Sequence, residues 1–467
     1  MQICRPLLSR EDSASPWQNA LVNAEVESKG RLLAQVQRLS DLQRLEDLAG
    51  EDDRLWPPLP PQVDALDHWL ATARDLLLRK ESHQASLREL EGLARSDADA
   101  RWQVAMERQV ISRMTELANR ATQVERRLNF ARTIVERSIG DPNAAAAWET
   151  ARAEIRADPR FAGLDLAPQL GLLPLGKDPR SGLQEFWHLQ SGRKPVRADD
   201  GSVQATEPMG VVLVLLPGGK CLVGSRLPDS EHAPGTPFVD PLRETNENMR
   251  EIDLPPFFIG KFEISQAQFH AICATNPSFL LPGKWGDHRS TIATTLRHPV
   301  ECVTWPEAET FCRRAAFVLP SEGQWEYACR AGSTTIYPTG DSPHSLAGFE
   351  NIRDHARLEA LGLLGTDAPP FDDGFVLTAP IGSFRPNAFG LHDMIGNVSE
   401  WCRERFAVRQ DETSSRPAVP GDSIFQVIRG GSYDANPRHA RSAGRYLIRG
   451  VARNGTIGLR VARAIDP

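Results

Sequence analysis

The sequence predicts an α+β protein in which an N-terminal α-helical hairpin or bundle precedes a domain of short strands and many turns. Residues 32–48 place apolar side chains at three- and four-residue steps, the spacing of an amphipathic helix. Residues 158–208 lose this period and accumulate Pro, Gly and Asp, which is typical of a connecting segment. After Met209 the chain changes to short apolar runs between Gly and Pro turns, and it holds all four tyrosines. We therefore divide the 467 residues into a helical region 1–157, a linker or bridging segment 158–208, and a compact domain 209–467.

The helical region contains four amphipathic segments. The apolar periodicity predicts helices over 32–48, 63–95, 97–139 and 142–155, the last with a proline in its first turn. The sequence WPPLPPQ at 56–62 separates the first two, because proline fixes φ and lacks an N–H donor. Long amphipathic helices suit coiled-coil assembly or the docking of a partner's helix. We expect this region to self-associate or to bind a protein partner.

Composition indicates a cytoplasmic globular protein. Hydrophobic residues make up 40% and charged residues 25% of the chain, which is typical of globular domains. The formal charge of -7 gives no general attraction for nucleic acid or anionic membranes. The apolar run at 211–217 is too short to span a bilayer, and residues 1–15 lack the apolar run of a secretory signal. Seven cysteines without CxxC or Cys/His spacing indicate reduced thiols.

Seven motifs in the second half of the chain identify a family resemblance. They are MGVVLVLLPGGKCLVG at 209–224, PPFFIGKFE at 255–263, HPVECVTWPEA at 298–308, LPSEGQWEYACRAG at 319–332, NAFGLHDMIGNVSEW at 387–401, RGGSY at 429–433 and IGLRV at 457–461. In this order they resemble the formylglycine-generating-enzyme, or sulfatase-modifying-factor, family. The resemblance implies a C-type-lectin-like fold of mixed α/β type with little regular secondary structure. Independently, Ser321 and Gln324 have the spacing of a capping box that opens a helix through Ala328, with Trp325 facing the core.

The catalytic metals of the family are not expected in this chain. The resemblance implies that the oxidases bind copper through two cysteines just after the RGGSY-type motif. Ala435 stands at the first of these positions, and no cysteine follows Cys402. Alanine can neither ligate a metal nor act as a nucleophile, so oxidation of a substrate cysteine is not predicted. A related iron-dependent branch uses three histidines, whereas the helical region has only His68 and His83, so iron is not expected either.

Calcium is the one cofactor that the resemblance implies here. Oxygen donors from carboxylate, amide and backbone groups suit this ion. The matching positions are Asn351, Ile352, Asp373 and Phe375 for a first site, and Gly396, Val398 and Glu400 for a second. The alternative is that Asn351 and Asp373 cap turns without a metal.

Without a redox centre, the favoured function is a non-catalytic module that binds a protein or a small ligand. The segment 432–456 mixes aromatic, polar and charged residues, a composition suited to an adaptable recognition surface. The residues assigned to this ligand face are Tyr433, Asp434, Asn436, His439, Tyr446, Ile448 and Asn454.

Two other functions stay open. The C-terminal segment also resembles the variable segment of retroelement-diversified proteins, in which scattered positions are mutated to change the bound ligand. The other is an oxidoreductase of the sulfatase-modifying-factor type with an unrecognised site near Trp401, Ser432 and Arg445.

Overall fold

The protein is represented by a computed structural model that describes residues 16–94, 98–283, 294–363, 371–405 and 425–466. The chain divides into two compact units, Met1–Arg132 and Thr133–Pro467. The predicted α+β class is confirmed, because helices precede a sheet-rich domain. No helix in the described ranges is both long enough and apolar enough to cross a membrane.

The first unit is built from helices that pack around one apolar core. They are α1 (Pro16–Asp52), α2 (Val63–Leu77), α3 (Lys80–Leu93) and α4 (Ala98–Val135), with a 3₁₀ turn at Pro60–Gln62. The buried residues of this core include Leu45, Leu66, Trp69, Val110, Met114 and Val124. The predicted first helix therefore exists, and it begins sixteen residues earlier than the periodicity indicated.

The helix predicted over 63–95 is interrupted between α2 and α3. The break falls at Leu78 and Arg79, and Leu78 is 82% exposed. No proline or glycine marks this turn in the sequence. Arg79 donates from Nη1 to Oδ1 of Asp41 on α1 at 2.8 Å, so a long-range ion pair accompanies the break. Local sequence signals could not show it, because Asp41 lies far away along the chain.

Helix α5 (Pro142–Ala157) belongs to the second unit, although the sequence placed it with the N-terminal helices. Asp141 caps it, since Oδ1 accepts hydrogen bonds from the backbone N–H groups of Asn143 at 2.9 Å and Ala144 at 3.2 Å. Trp148 of α5 is buried, and its ring centroid lies 5.4 Å from that of Phe186. The division of the chain thus falls near residue 132 rather than residue 157.

The segment 158–208, expected to be a linker or bridging segment, contributes β1 and β2 to the main sheet. Its strands are β1 (Leu172–Lys177), β2 (Gln184–His188), β3 (Val196–Arg197) and β4 (Val203–Gln204). β2 pairs antiparallel with β5 (Val212–Leu216), in which every residue is buried. Pro174 and Gly176 flank a register shift in β1. Proline and glycine are uncommon inside strands, so the sequence did not predict β1.

The β1–β2 hairpin also neutralises a buried lysine of the domain that follows. Lys261 is 1% exposed. Its Nζ atom lies 3.1 Å from Oδ1 of Asp178, between the two strands, and 2.8 Å from Oε1 of Glu185 on β2. A buried ammonium without such partners is strongly destabilising. The hairpin is therefore an integral part of the second unit.

The rest of the second unit consists of short strands and short helices. The remaining elements are β6 (Gly219–Val223), β7 (Arg250–Leu254), β8 (Phe257–Gly260), α6 (Gln266–Cys273), α7 (Trp305–Arg314), α8 (Glu322–Arg330), α9 (His355–Ala360), β9 (Ser399–Arg405), β10 (Phe425–Arg429), β11 (Arg445–Arg449), β12 (Ile457–Gly458) and β13 (Ala462–Ala464). Two sheets have the orders β1-β2-β5-β8-β13 and β11-β10-β9-β12. β3 pairs with β4, and β6 pairs with β7, as two separate two-stranded ribbons.

Helix α8 begins with the predicted capping box. The Gln324 N–H donates to Oγ of Ser321 at 3.1 Å, and the Ser321 N–H donates to Oε1 of Gln324 at 2.9 Å. Trp325 is fully buried, as its position in the pattern predicts. Its Nε1–H donates to Oε2 of Glu400 at 2.7 Å, which joins α8 to β9.

Candidate ligand face and calcium site

Ala435 lies in the turn that follows β10. Its N–H donates to the Ser432 carbonyl at 2.8 Å, and its own carbonyl accepts from the Arg353 N–H at 3.1 Å. Gly431 precedes this turn with φ of +74°, and a Cβ there would lie 3.1 Å from the Cβ atoms of both Ala435 and Ala440. The backbone of the turn is therefore fixed, and the side chain at its centre is a methyl group.

The described cysteines of this domain lie in environments that favour the protonated thiol. Burial raises the pKa of Cys221 and Cys273 to about 11 and that of Cys302 to about 12. Burial also raises the pKa values of Cys312, Cys329 and Cys402. Ala435 provides a methyl group at the position where the resemblance places the first copper-binding cysteine, so the residues present there do not fit that copper centre.

Asp434 is held between two arginines that the sequence analysis did not select. Its Oδ1 atom lies 3.4 Å from Nε of Arg353 and 3.2 Å from Nε of Arg357. The guanidinium of Arg357 also lies 5.2 Å from the ring centroid of Tyr433. Both arginines precede Asp434 by about eighty residues, so no local pattern could connect them with it.

His439 and Tyr446 form a second contact on the ligand face. Nδ1 of His439 lies 3.0 Å from the Tyr446 hydroxyl, and the two rings meet edge to face with centroids 5.5 Å apart. Burial and then the charge of Arg438 lower the pKa of His439. Asp434, His439 and Tyr446 are each partly exposed, so all three can contact a ligand.

The other four predicted face residues have mainly structural contacts. Asn436 accepts from the Arg438 N–H at 3.0 Å, and Asn454 accepts from the Thr456 N–H at 3.0 Å. Ile448 packs against the core, and Tyr433 is only 7% exposed. Asn454 is nevertheless exposed, and Asn436 and Ile448 are partly exposed, so Tyr433 is the one buried residue among the seven predicted face residues.

Trp401, Ser432 and Arg445, the residues proposed for an unrecognised reaction, each stabilise the scaffold. Trp401 is fully buried and donates from Nε1 to the Val303 carbonyl at 2.8 Å. Ser432 is buried, and its Oγ accepts from the Asp434 N–H at 3.3 Å. Arg445 forms a bidentate ion pair with Glu322, with both distances at 2.7 Å.

The first predicted calcium site has a donor set that fits this ion. Asn351 is 1% exposed, and its side-chain oxygen has no hydrogen-bond partner. Asp373 accepts from the N–H groups of Ile352 at 3.2 Å and Phe375 at 2.8 Å, so the four residues lie together. Burial, together with the charge of Asp354, raises the pKa of Asp373 to about 8.

Two further carboxylates, which the sequence analysis missed, lie at the same place. Oxygen atoms of Asp354, Asp372 and Asp373 all lie within 4.8 Å of one another. Asp354 also accepts from the Arg357 N–H at 3.0 Å and so caps α9. Carboxylates this close repel one another, and a divalent cation would offset that repulsion.

The second predicted calcium group has less favourable chemistry. The Glu400 carboxylate is 1% exposed and lies 2.7 Å from Nη2 of Arg460. Arg460 supplies the positive charge that a cation would otherwise bring. Gly396 has φ of +82°, and a Cβ there would lie 2.1 Å from the Asn351 carbonyl, so its role is one of close backbone packing.

Comparison with known proteins agrees with the resemblance seen in the motifs. Residues 201–465 match the model of the sulfatase-modifying factor enzyme 1-like domain. The formylglycine-generating enzyme of Streptomyces coelicolor is 33% identical over 184 residues, which is 38% of this chain and 56% of that enzyme. The chain therefore spans about half the length of this relative.

Solved structures similar to this chain include PvdO from Pseudomonas aeruginosa, with a TM-score of 0.41, 25% identity, and coverage of 58% of this chain and 99% of PvdO. Variable protein 1 of Treponema denticola has a TM-score of 0.38, 18% identity, and coverage of 55% and 96%. The family model alone covers more than half of the sequence. The chain belongs to the sulfatase-modifying factor enzyme 1-like family.

Proposed function

We propose that this chain is a non-catalytic binding module that engages a protein or a small ligand through the partly exposed residues Asp434, His439 and Tyr446. The observation that carries the proposal is the turn around Ala435. It keeps a fixed backbone at the family's copper position but presents a methyl group in place of sulfur. A rigid turn with accessible polar and aromatic neighbours supports recognition rather than oxidation.

Calcium is proposed as a structural ion of this module. Asn351 and Asp373, with the carbonyls of Ile352 and Phe375, would hold it, and Asp354 and Asp372 add negative charge. The ion would supply charge neutralisation beside α9, the helix that carries Arg357. Because Arg357 contacts both Tyr433 and Asp434, calcium would stabilise the support of the ligand face.

The test is affinity capture with the full chain followed by quantitative mass spectrometry. One variant carries Asp434→Ala, His439→Ala and Tyr446→Ala. The matched control carries Lys220→Ala and Asp253→Ala, two exposed positions that pair across the β6–β7 ribbon. We expect the face variant to lose a specific partner by about tenfold or more, which corresponds to about 1.4 kcal/mol of binding free energy. Equal recovery by all three proteins would contradict the proposed face.

A diversified variable protein is a second candidate for the same face. Its support is the placement of Asp434, His439 and Tyr446, whose side chains are partly exposed around a buried framework. Asn436 and Asn454 count against it, because their side chains close local turns. Sequencing the neighbouring DNA decides the matter. A near-identical repeat of the segment beside a reverse-transcriptase gene would establish diversification, and the absence of both would remove it.

The helical unit is proposed to mediate assembly through the first half of α1. Large apolar side chains are exposed there, namely Trp17, Leu21, Val22, Val26, Leu32, Leu33 and Val36. Val22, Val26, Leu33 and Val36 follow the three- and four-residue steps of a coiled-coil seam, with Lys29 at the remaining position. Light scattering of the full chain should give more than the 51.7 kDa of one copy. The double variant Val26→Glu, Leu33→Glu should have the mass of one copy. A wild-type protein with the mass of one copy would exclude self-association.

A further inference from the structure

Among the side chains of helix α3, only that of His83 is buried, and two other polar contacts of α3 with α4, Lys80 with Thr115 and Glu91 with Arg108, are exposed. The helix has fourteen residues, and His83 is the one that is buried. Leu87 and Leu90 are half-buried, and Leu93 is 57% exposed. An amphipathic helix normally buries a stripe of aliphatic side chains in this position. Here an ionisable ring occupies the centre of the contact.

Both nitrogens of the His83 ring contact carboxylates from different helices. Nδ1 lies 2.7 Å from Oε2 of Glu107 on α4, and Nε2 lies 3.1 Å from Oδ2 of Asp41 on α1. Neutral imidazole has one donor nitrogen and one acceptor nitrogen, whereas imidazolium donates from both. The protonated ring therefore satisfies both carboxylates. The neutral ring would set one nitrogen lone pair against a carboxylate oxygen.

Two arginines complete the charges around the ring. Arg38 on α1 donates from Nη1 to Oε1 of Glu107 at 3.1 Å, and Arg79 at the start of α3 donates to Oδ1 of Asp41 at 2.8 Å. The charged groups that face His83 are thus Arg38 and Asp41 from α1, Arg79 from the α2–α3 turn, and Glu107 from α4. Each carboxylate keeps an arginine partner when the ring is neutral. Loss of the proton therefore weakens the contact of α3 with α1 and α4 at His83, whereas Arg79 still ties the α2–α3 turn to α1 and Arg38 still ties α1 to α4.

A cavity of about 370 Å³ opens onto this cluster. Its lining includes Ser82, His83 and Ser86 from α3, together with Arg38, Asp41 and Glu107. The cavity gives water and protons a route to a ring that is only 6% exposed. The ring can therefore exchange its proton without prior unfolding of the unit.

From this geometry we propose that His83 is a pH-sensitive latch. Its imidazolium form holds α3 onto α1 and α4, and deprotonation releases α3 while the other helices stay packed. Release would expose the polar cluster and free α3 for contact with a partner of the helical unit.

The direction of the response follows from the hydrogen bonds. The hydrogen bond to Glu107 raises the pKa of His83 above its ordinary value, against the opposing effect of burial, and the bond to Asp41 adds to the rise. A raised pKa means that docking of α3 gains its full stabilisation below pH 6.5, the pKa of the released ring. That stabilisation is lost as the pH rises through the higher pKa of the docked ring.

Hydrogen exchange of the full chain, followed by mass spectrometry between pH 6 and pH 9, tests the latch. Protection factors correct for the intrinsic dependence of exchange on pH. We expect protection of residues 80–93 to fall by up to about tenfold per pH unit once the pH exceeds 6.5, because one proton is released. The core residues of α4 should keep their protection over this range. A wild-type protein whose α3 protection is constant with pH would overturn the proposal.

Three variants separate the latch from a general effect of pH. His83→Gln should give weak α3 protection at every pH, whereas His68→Gln, which changes an exposed histidine of α2, should keep the wild-type profile. Glu107→Gln should move the loss of protection to lower pH, since it removes the main cause of the raised pKa. A wild-type profile in Glu107→Gln would contradict the latch even if His83→Gln failed to fold.

Discussion

At the scale of single residues, the proposed function depends on the side chain at the centre of the turn that follows β10. Ala435 occupies a turn whose backbone bonds are complete, yet its methyl group has no redox chemistry. The absence of sulfur at position 435 can be read directly from the sequence after the RGGSY motif. The sequence could not predict that Arg353 and Arg357 would surround Asp434, because those contacts join distant parts of the chain.

We expect that restoring one sulfur atom will not restore oxidation. The variant Ala435→Cys provides one thiol, whereas the family's copper site needs two, and no cysteine follows Cys402. Aldehyde formation on a cysteine-containing peptide, measured by mass spectrometry with copper(I) and oxygen, should be absent from wild type and variant alike. The Streptomyces coelicolor enzyme provides the positive control. Aldehyde produced by the wild-type chain would contradict the non-catalytic assignment.

Calcium should stabilise the protein through Asp354 and Asp373. An ion at about one hundred times its dissociation constant adds about 2.7 kcal/mol to the free energy of unfolding. The midpoint of thermal unfolding should therefore rise by several degrees when calcium replaces a chelator. Asp373→Asn and Asp354→Asn should abolish the rise, and Asp229→Asn, at an exposed turn, should preserve it. An unchanged midpoint in wild type would argue for turn capping without a metal.

At the scale of elements, the sequence predicted those structures that depend on neighbouring residues. The capping box of α8 was visible because Ser321 and Gln324 are three positions apart. Strand β5 was visible as an apolar run. In contrast, β1 was hidden because its partner strands, and not its own irregular sequence, determine its conformation. The sequence did not predict the break between α2 and α3 either, because Arg79 at the break pairs with Asp41 on a different helix.

The capping box gives a measurable stability difference. Ser321→Ala removes the acceptor for the Gln324 N–H and should lower the free energy of unfolding by about 1 kcal/mol. Urea denaturation monitored by tryptophan fluorescence provides the measurement, since Trp325 lies in this helix. Ser230→Ala, at an exposed position, should change stability by less than about 0.5 kcal/mol. A similar loss in both variants would show that the cap is not the cause.

At the scale of the whole molecule, family membership identified the second unit but not its full extent. The motifs begin at Met209 and the family model at residue 201, whereas the compact unit begins at Thr133. Motif recognition depends on sequence patterns shared within the family. The contribution of α5 and the β1–β2 hairpin depends instead on packing and on the ion pairs of Lys261, which a motif does not report.

A protein that starts at Met209 should therefore be unstable, even though it contains every family motif. Such a chain lacks both carboxylates that pair with Lys261, and it lacks β2, one of the two strands that pair with β5. Size-exclusion chromatography and thermal unfolding should reveal aggregation of this fragment. A fragment that starts at Thr133 should remain soluble and unfold cooperatively. Equal behaviour of the two fragments would show that the hairpin is dispensable.

The β1–β2 hairpin therefore affects where the domain can be cut when it is isolated for crystallisation or display. With β2 removed, β5 becomes an open edge strand of five apolar residues, and such edges template intermolecular β-pairing. Material cut at the motif boundary would then adhere to many proteins without specificity. A binding assay with that material would report the exposed edge, so the segment before the first motif decides whether a measured interaction is genuine.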